Sequence, residues 1–278
     1  MAAEDRLAEL LDEVAAGGRV PYLGAGVAAL AGGTQPASPA ELCAAIEAKV
    51  RAPKRATGNL WSVAQFVESR RFRRTLETIV QESFAAHPEP GALHRWLARQ
   101  RPPLVVDTWY DSGLIEATMA EGRANWGWVQ GVSRNGEWHE IWTRAYDGEG
   151  RLVGEQPDPA WEMLVYKPHG VIRDGHSFLM SDSDYVEVLT EIDIQSPIPD
   201  EVQARRTGRP FLFLGCRFDD QMLRLFARQI AKRSAAGHAA VIEGALTRME
   251  RRFLDELEIE RLDLPLSAVT DALSAPAA

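Results

Sequence analysis

The chain has 278 residues, of which 45% are hydrophobic and 26% are charged, and its formal net charge is -9. This composition is ordinary for one large globular domain, and the acidic balance argues against nucleic-acid binding as the main activity. No run reaches the roughly 18 apolar residues that a membrane span needs, and the acidic N-terminus lacks the features of a signal peptide. We therefore predict a cytoplasmic protein with no membrane or nucleic-acid partner.

The cysteine content argues against two kinds of stabilising site. The chain has 2 cysteines, Cys43 and Cys216, which lie far apart and form no Cys-x-x-Cys pair. They cannot supply a four-thiolate zinc site, so we predict no zinc and no other metal site. They also do not indicate a disulfide framework, which agrees with a reducing cytoplasm.

The first 106 residues alternate helical and strand patterns. A helix over Asp5–Ala16 is followed by the apolar strand RVPYL, which runs directly into glycines. Ser38-Pro39 is a sound helix start, and two or three further helices extend from Leu60 through Arg99. The segment Leu104–Val106 is then predicted as a buried strand.

Residues 125–153 alternate apolar and polar positions around Arg134-Asn135-Gly136, and Asn-Gly is a strong hairpin signal. We predict a β-ribbon inserted at the edge of the main sheet. Its tryptophans have two interpretations, a surface for a protein partner or a packed edge hairpin, and a contiguous exposed apolar patch would favour the partner. These tryptophans are Trp126, Trp128, Trp138 and Trp142.

The last part of the chain returns to alternating strands and helices. The strands are MLVYK, SFLM, PFLFLG and HAAVI, with a short one around Leu262, and residues 274–278 are expected to fray. Helices are predicted after Ser181 or Asp182, after Asp219-Asp220 and over Leu246–Leu257. Apolar strands alternating with amphipathic helices predict a single α/β domain over residues 1–278, a Rossmann-like doubly wound parallel sheet with a β-hairpin insertion.

Four strand ends carry glycine or polar chemistry, and in a doubly wound sheet ligands bind at that edge. The glycines after the first strand either form a plain tight turn or let the backbone N–H groups come close to a diphosphate. The histidine is either a core residue or a general base whose ordinary pKa suits neutral pH. The four segments are Gly24-Ala25-Gly26, Asp107–Asp111, His169-Gly170 and Gly215–Asp219.

Three charged residues at these strand ends also have two interpretations. Asp111 is either the cap of the following helix or part of a functional site. Asp219 is a credible N-cap for the long helix that follows it. Arg217, just before that cap, either pairs with a phosphate or reaches solvent.

The order of these segments resembles the sirtuin-like superfamily, in the broad bacterial branch that lacks the zinc module. The matching segments, within residues 19–265, are YLGAGVAAL, DTWYD, KPHG, SDSDYVEVL and GCRFDDQML. The resemblance implies a Rossmann-type domain that binds NAD or an ADP-ribose derivative. Enzymes of this family cleave the nicotinamide–ribose bond and pass the ADP-ribosyl group to an acyl-lysine or to water.

The resemblance also implies roles for individual residues. Gly24, Ala25 and Gly26 would cradle the diphosphate. His169 would be the general base, and Asp111 would lie near the nicotinamide ribose. Gly215 and its neighbours Cys216 and Arg217 would line the adenosine side, and the remaining cofactor-binding positions are Val27, Thr108, Trp109 and Gly170.

Three residues depart from the family pattern. Trp109 stands in place of an asparagine that positions the ribose hydroxyl and water, and an indole cannot accept a hydrogen bond. It either fills the nicotinamide subsite and blocks the chemistry or turns outward. Ala28 and Arg217 replace serines, and Arg217 either complements a diphosphate or fills the ligand space.

Two functions of different classes remain. The first is a protein that binds NAD or an ADP-ribose derivative and acts as a sensor or scaffold, with catalysis altered or lost. The alternative is an NAD-consuming enzyme, an NAD glycohydrolase or ADP-ribosyl-transferring enzyme with His169 as base. A protein deacylase is disfavoured because the zinc tetrad is absent, and a homo-oligomer stays open.

Overall fold

The computed structural model describes residues 2–86, 89–134, 140–173, 175–191 and 197–274. Its strands are β1 (Val20–Leu23), β2 (Leu104–Asp107), β3 (Trp126–Gly131), β4 (Thr143–Asp147), β5 (Leu152–Gly154), β6 (Met163–Lys167), β7 (Phe211–Leu214), β8 (Ala239–Val241) and β9 (Glu260–Leu262). Its helices are α1 (Ala3–Ala15), α2 (Gly26–Ala29), α3 (Pro39–Lys49), α4 (Leu60–Arg71), α5 (Arg73–Ser83), α6 (Ala92–Gln100), α7 (Gly113–Ala120), α8 (Asp182–Glu191), α9 (Asp200–Arg206), α10 (Gln221–Ala231), α11 (Arg248–Glu256) and α12 (Ser267–Ser274).

The strands form one nine-stranded sheet in the order β5-β4-β3-β6-β2-β1-β7-β8-β9. Six of these strands, β6, β2, β1, β7, β8 and β9, run parallel to one another. Tyr22 of β1 lies opposite Val106 of β2 on one side and opposite Phe213 of β7 on the other. Their order across the sheet is that of the doubly wound Rossmann fold, in which the direction of winding reverses at the first strand. The predicted fold class is confirmed.

Two apolar layers cover the faces of the sheet. Because successive strand residues point to opposite faces, Val105 joins one layer while Leu104 and Val106 join the other. One layer packs the sheet against α3, α4, α5 and α10, and the second packs it against α1, α6 and α7. Burial on both faces explains why the central strands are almost entirely apolar, apart from Asp107 and Lys167 at the ends of β2 and β6.

The predicted ribbon lies at the edge of the sheet. β3 pairs in parallel with β6 and antiparallel with β4, and β4 pairs antiparallel with β5. Trp126 and Trp128 are buried, and Trp128 stacks on Tyr146 with 5.1 Å between ring centroids. Trp142 is half-buried below the Arg134 guanidinium. Packing within the edge hairpin therefore accounts for Trp126 and Trp128, whereas Asn135-Gly136 and Trp138 lie outside the described residues.

Two local predictions are wrong. The segment SFLM is not a strand, since Phe178 makes only a single bridge to Gly170. The Asp184 carboxylate instead accepts hydrogen bonds from the amides of Met180 at 2.8 Å and the following Ser181 at 3.1 Å, and the Leu179 amide donates to His169 O at 2.9 Å. The N-cap of α10 is Asp220 rather than Asp219, because the carboxylate of Asp220 accepts from the Met222 amide at 2.7 Å.

Candidate functional site

A cleft opens at the carboxyl ends of β1, β2, β6 and β7, where the winding of the sheet reverses. It encloses about 340 Å³, which falls within the usual range of small-molecule sites, about 300–1,000 Å³. Helices α3, α4, α8 and α10 complete its walls. Nine of the predicted site residues line it, namely Gly24, Ala25, Gly26, Thr108, Trp109, His169, Gly215, Cys216 and Arg217.

The turns after β1 and β7 touch each other along one side of the cleft. The amide of Gly24 donates to Leu214 O at 2.8 Å, and the amide of Gly26 donates to Gly215 O at 2.9 Å. A Cβ on Gly24 would lie 2.5 Å from Gly215 O and 2.8 Å from Cys216 Cα, closer than real Cβ atoms come. The glycines are therefore required for this backbone contact, which brings both turns to the cleft.

His169 lies in the wall of the cleft as a neutral imidazole. Its Nδ1 is 2.9 Å from Thr108 O, and a carbonyl can only accept, so Nδ1 carries the proton and Nε2 is left as an acceptor. The ring packs edge-on against Phe226 and Tyr185, with centroids 4.7 and 5.2 Å away. Burial lowers the pKa of His169 to about 3, and the charge of Lys167 acts in the same direction.

A residue that sequence reasoning missed, Lys167, fixes the loop after β2. It is the fully buried last residue of β6, and its Nζ donates to Asp107 Oδ2 at 2.9 Å and to Asp111 O at 2.7 Å. It also donates to Trp109 O. A charged residue at the end of the apolar strand MLVYK is the signal that could have revealed it, because a buried lysine requires a partner.

Trp109 forms part of the cleft wall, where the family pattern has an asparagine. Its indole is 4% exposed, and Nε1 donates to Pro36 O at 2.8 Å. The ring also packs against Phe84 and Tyr110, with centroids 6.1 and 5.2 Å away. The indole of Trp109 therefore points into the protein rather than outward, and a hydrogen bond and two aromatic neighbours hold it there.

Asp111, Val27 and Gly170 do not line the cleft. The carboxylate of Asp111 accepts from the Gly113 amide at 2.8 Å at the start of α7, beside a separate small polar cavity. Val27 is buried in the apolar layer that contains α1. Gly170 has φ +85°, and a Cβ there would lie 2.6 Å from Phe178 Cα, so it permits close packing of that segment.

Cys216 is buried in the cleft wall as a neutral thiol. Its Sγ lies 3.7 Å from Tyr22 O and 3.6 Å from Leu214 O, both of which can accept from it. Burial raises the pKa of the thiol, so it holds no reactive thiolate.

Arg217 is engaged by an acidic residue of α11. Its guanidinium donates to both carboxylate oxygens of Glu250, at 2.7 and 3.0 Å. Glu250 is fully buried and also accepts from the amides of Thr247 at 2.8 Å and Phe218 at 3.2 Å. Burial alone would raise the pKa of Glu250, but these hydrogen bonds outweigh it and lower the pKa to about 2. Arg217 thus anchors α11 to the loop after β7.

Replacing Arg217 by alanine is expected to reduce the free energy of unfolding by about 2 kcal/mol at pH 7, because buried Glu250 loses its cation. The pKa of Glu250 is depressed in the folded protein, so its stabilisation is complete above the ordinary pKa of 4.5 and disappears as the pH falls toward about 2. Denaturant unfolding of parent and Arg217→Ala at pH 7 and pH 3 checks this, with exposed Arg248→Ala as control. An equal difference at both pH values would contradict the assignment.

A doubly wound sheet with a glycine-lined cleft at its switch point is the architecture of a large class of α/β proteins, whose ligands bind at that edge of the sheet. The family model for the SIR2-like domain matches residues 103–262, more than half of the chain, so the chain belongs to the SIR2-like family. The match confirms the sirtuin-like resemblance, and it begins after the glycine turn of β1. No curated protein matches the chain.

No group of three or more His, Cys, Asp or Glu side chains in the described parts of the chain is arranged to hold a metal ion. None of the helices described is both long and apolar enough to cross a membrane.

Proposed function

We propose that this SIR2-like protein binds NAD or an ADP-ribose derivative in the cleft and acts as a sensor or scaffold, with catalysis altered or lost. The observation that carries the proposal is the inward, hydrogen-bonded indole of Trp109, at the position where the family's enzymes have an asparagine. An indole offers one donor and no acceptor, and here Pro36 O already takes that donor. Trp109 therefore cannot orient a water or a ribose hydroxyl.

The residues of the cleft fit a dinucleotide. The turns at Gly24–Gly26 and Gly215 would hold the diphosphate, because the absence of side chains lets both turns meet at the edge of the cleft. Aromatic side chains provide apolar walls for planar groups. Bound NAD would supply a nicotinamide–ribose bond, the bond that the family's enzymes break. Arg217 also lines the cleft and would contact the diphosphate through Nη1, because its Nε and Nη2 already donate to Glu250.

The alternative function is an NAD glycohydrolase or ADP-ribosyl-transferring enzyme with His169 as general base. One observation favours it: Nδ1 is anchored on Thr108 O while Nε2 stays free to accept a proton. Two weigh against it. The low pKa makes His169 a weak base, and the predicted supporting residue Asp111 lies outside the cleft.

The deciding experiment measures binding and cleavage on the same protein. We expect calorimetry to show saturable binding of NAD or ADP-ribose, and chromatography to show no release of nicotinamide from NAD. Release by the parent that disappears in His169→Ala would establish the enzyme instead. Release only in Trp109→Asn would identify that indole as the block, whereas absence of any binding would refute the nucleotide site.

Three further expectations belong with this proposal. We expect a cytoplasmic location and no zinc, and we disfavour a protein deacylase. A protein partner at the ribbon would have to use surface other than the buried Trp126 and Trp128.

A further inference from the structure

Phe72 lies at the junction of two helices, in a backbone conformation that is unfavourable for a bulky residue. It ends α4, where its amide donates to Glu68 O at 3.1 Å, and it begins α5, where its carbonyl accepts from the Thr75 amide at 3.0 Å. The turn between the helices is therefore a single residue. Its φ of +71° and ψ of 150° are almost exclusive to glycine and cost free energy in any other residue.

The Phe72 side chain is exposed to solvent rather than packed in the core. It is 82% exposed, the highest value among the large apolar side chains of the described residues. A phenylalanine also cannot cap α5, because it has no side-chain acceptor for the first amides of that helix. Backbone strain, a missing cap and an exposed aromatic ring thus coincide at one position. Departures of this kind from local preference are typical of functional sites.

A cluster of ion pairs holds this junction in place. The next residue, Arg73, donates from Nη1 to Asp184 Oδ2 at 2.7 Å and to Glu68 Oε2 at 3.0 Å. Its Nε donates to Glu77 Oε1 at 3.2 Å, and its Nη2 donates to Phe178 O. These partners come from α4, α5, α8 and the segment before α8, so the junction is fixed to the body of the domain. The exposed ring of Phe72 therefore has a rigid support.

Three further arginines flank Phe72 in the sequence RRFRR. Arg70, Arg71 and Arg74 are exposed, and within the described parts of the chain their guanidinium groups make no hydrogen bond and no salt bridge. A solvated helix face accounts for the arginines, but it does not account for a strained, exposed aromatic ring between them. Aromatic and arginine side chains are the types enriched where one protein binds another.

We propose that Phe72 and these three arginines form a docking site for an acidic protein segment. Apolar side chains of that segment cover the phenylalanine ring, while its carboxylates pair with the guanidinium groups. None of the four residues lines the cleft, so the proposal is independent of nucleotide binding.

The charge of the whole chain favours a protein partner over nucleic acid or an anionic membrane. The formal net charge is -9, so an extended polyanion that reached the three arginines would also meet the acidic surface beyond them. A protein segment carries only a local group of carboxylates and avoids that repulsion. Its apolar side chains also provide the cover that the exposed ring lacks within this chain.

The test uses a phage-displayed library of random peptides as the probe, selected on the parent protein. We expect the enriched peptides to combine several Asp or Glu residues with an aromatic or aliphatic one. An enriched peptide is then synthesised and titrated by fluorescence anisotropy. Failure to enrich any peptide overturns the proposal, and so does enrichment of uncharged or basic peptides.

Replacing Phe72 by glycine separates binding from folding. We expect Phe72→Gly to weaken binding of the selected peptide about thirtyfold, the effect of removing an interface hot spot. Because glycine tolerates this backbone conformation, the midpoint of thermal unfolding should rise by about 2–4 °C in the same variant. Unchanged peptide binding overturns the proposal. A lower midpoint also overturns it, because Phe72 would then contribute to folding rather than strain the junction.

Replacing the three flanking arginines by glutamine tests the charge complementarity. We expect this triple variant to bind the selected peptide about tenfold more weakly, with a smaller dependence on salt. The control removes the same charge from exposed arginines of α11 and should change the affinity less than about twofold. Its positions are Arg248, Arg251 and Arg252. An equal loss in both triple variants overturns the proposal, because it indicates a response to net charge alone.

Two other probes represent the alternative partners. A single-stranded oligonucleotide and phosphatidylserine vesicles are titrated onto the parent and onto Phe72→Gly. We expect neither probe to distinguish the two proteins. Binding of either probe that is lost in Phe72→Gly, while the peptide binds both proteins equally, overturns the assignment to a protein segment.

Discussion

Replacing Lys167 by methionine is expected to reduce the free energy of unfolding by about 3–5 kcal/mol, because it leaves a buried carboxylate without its cation. Methionine preserves the length and apolar stem of the side chain, so the packing volume changes little. What is lost is the ammonium group that Asp107 and two carbonyls of the following loop share. Burial already raises the pKa of Asp107, and Lys167 opposes that rise. Urea unfolding at pH 7 measures the loss.

The double variant Asp107→Asn/Lys167→Met separates the ion pair from the rest of the loop. Removing both charges eliminates the uncompensated carboxylate, so we expect the double variant to be more stable than Lys167→Met alone. A loss below about 1 kcal/mol in Lys167→Met would refute the role of the lysine. Lys167→Met should also weaken nucleotide binding, because Lys167 holds the backbone of Trp109 beside the cleft.

Replacing Gly24 by alanine should both destabilise the protein and abolish nucleotide binding. The new methyl group would lie 2.5 Å from Gly215 O and 2.8 Å from Cys216 Cα. Both are backbone atoms, which no side-chain rotation can move. Forced overpacking of this kind costs about 1–3 kcal/mol, and separating the turns after β1 and β7 changes the shape of the cleft. Thermal unfolding and calorimetry with ADP-ribose measure the two effects.

Two other glycines provide graded controls for this prediction. At Gly26 the methyl group would meet Gly215 O at 3.0 Å, so we expect a smaller loss of both stability and affinity. At Gly18 the nearest atom would be Glu13 O at 3.5 Å, an ordinary contact, so Gly18→Ala should bind as the parent does. Equal affinities for Gly24→Ala and Gly18→Ala would contradict the assignment of the turn to the ligand site.

The elements whose signals are local were predictable from sequence. Ser38 caps α3 by accepting from the Glu41 amide at 3.2 Å, as the Ser-Pro start of that helix predicts. Apolar runs ending in glycine or polar residues indicated β1, β2, β6 and β7, and the shared edge of parallel strands brought most of the predicted site together. The error at SFLM arose because an apolar run does not reveal that the Met180 amide donates to the Asp184 carboxylate and the Leu179 amide to His169 O.

The contacts that decide the chemistry of the cleft are not local. Nothing in the segment DTWYD indicates that Pro36 accepts from the Trp109 indole, or that a lysine 56 residues after Asp111 holds its carbonyl. Trp61 resembles any core aromatic residue until the fold stacks it on Tyr185 in the wall of the cleft. Asp111 had two possible roles from sequence; its carboxylate accepts from the Gly113 amide at the start of α7, whereas the N-cap residue of that helix is Ser112.

The pairing of β1 with β7 has a consequence for how the chain folds. Gly24 touches Gly215, so the two sides of the cleft come from segments at nearly opposite ends of the sequence. Contacts of such high sequence separation slow folding, because the entropy of closing the loop opposes them until late. During synthesis the glycine turn leaves the ribosome long before its partner exists. A nascent chain therefore cannot complete the cleft until β7 has been added, and the proposed ligand would stabilise only a chain that contains both turns.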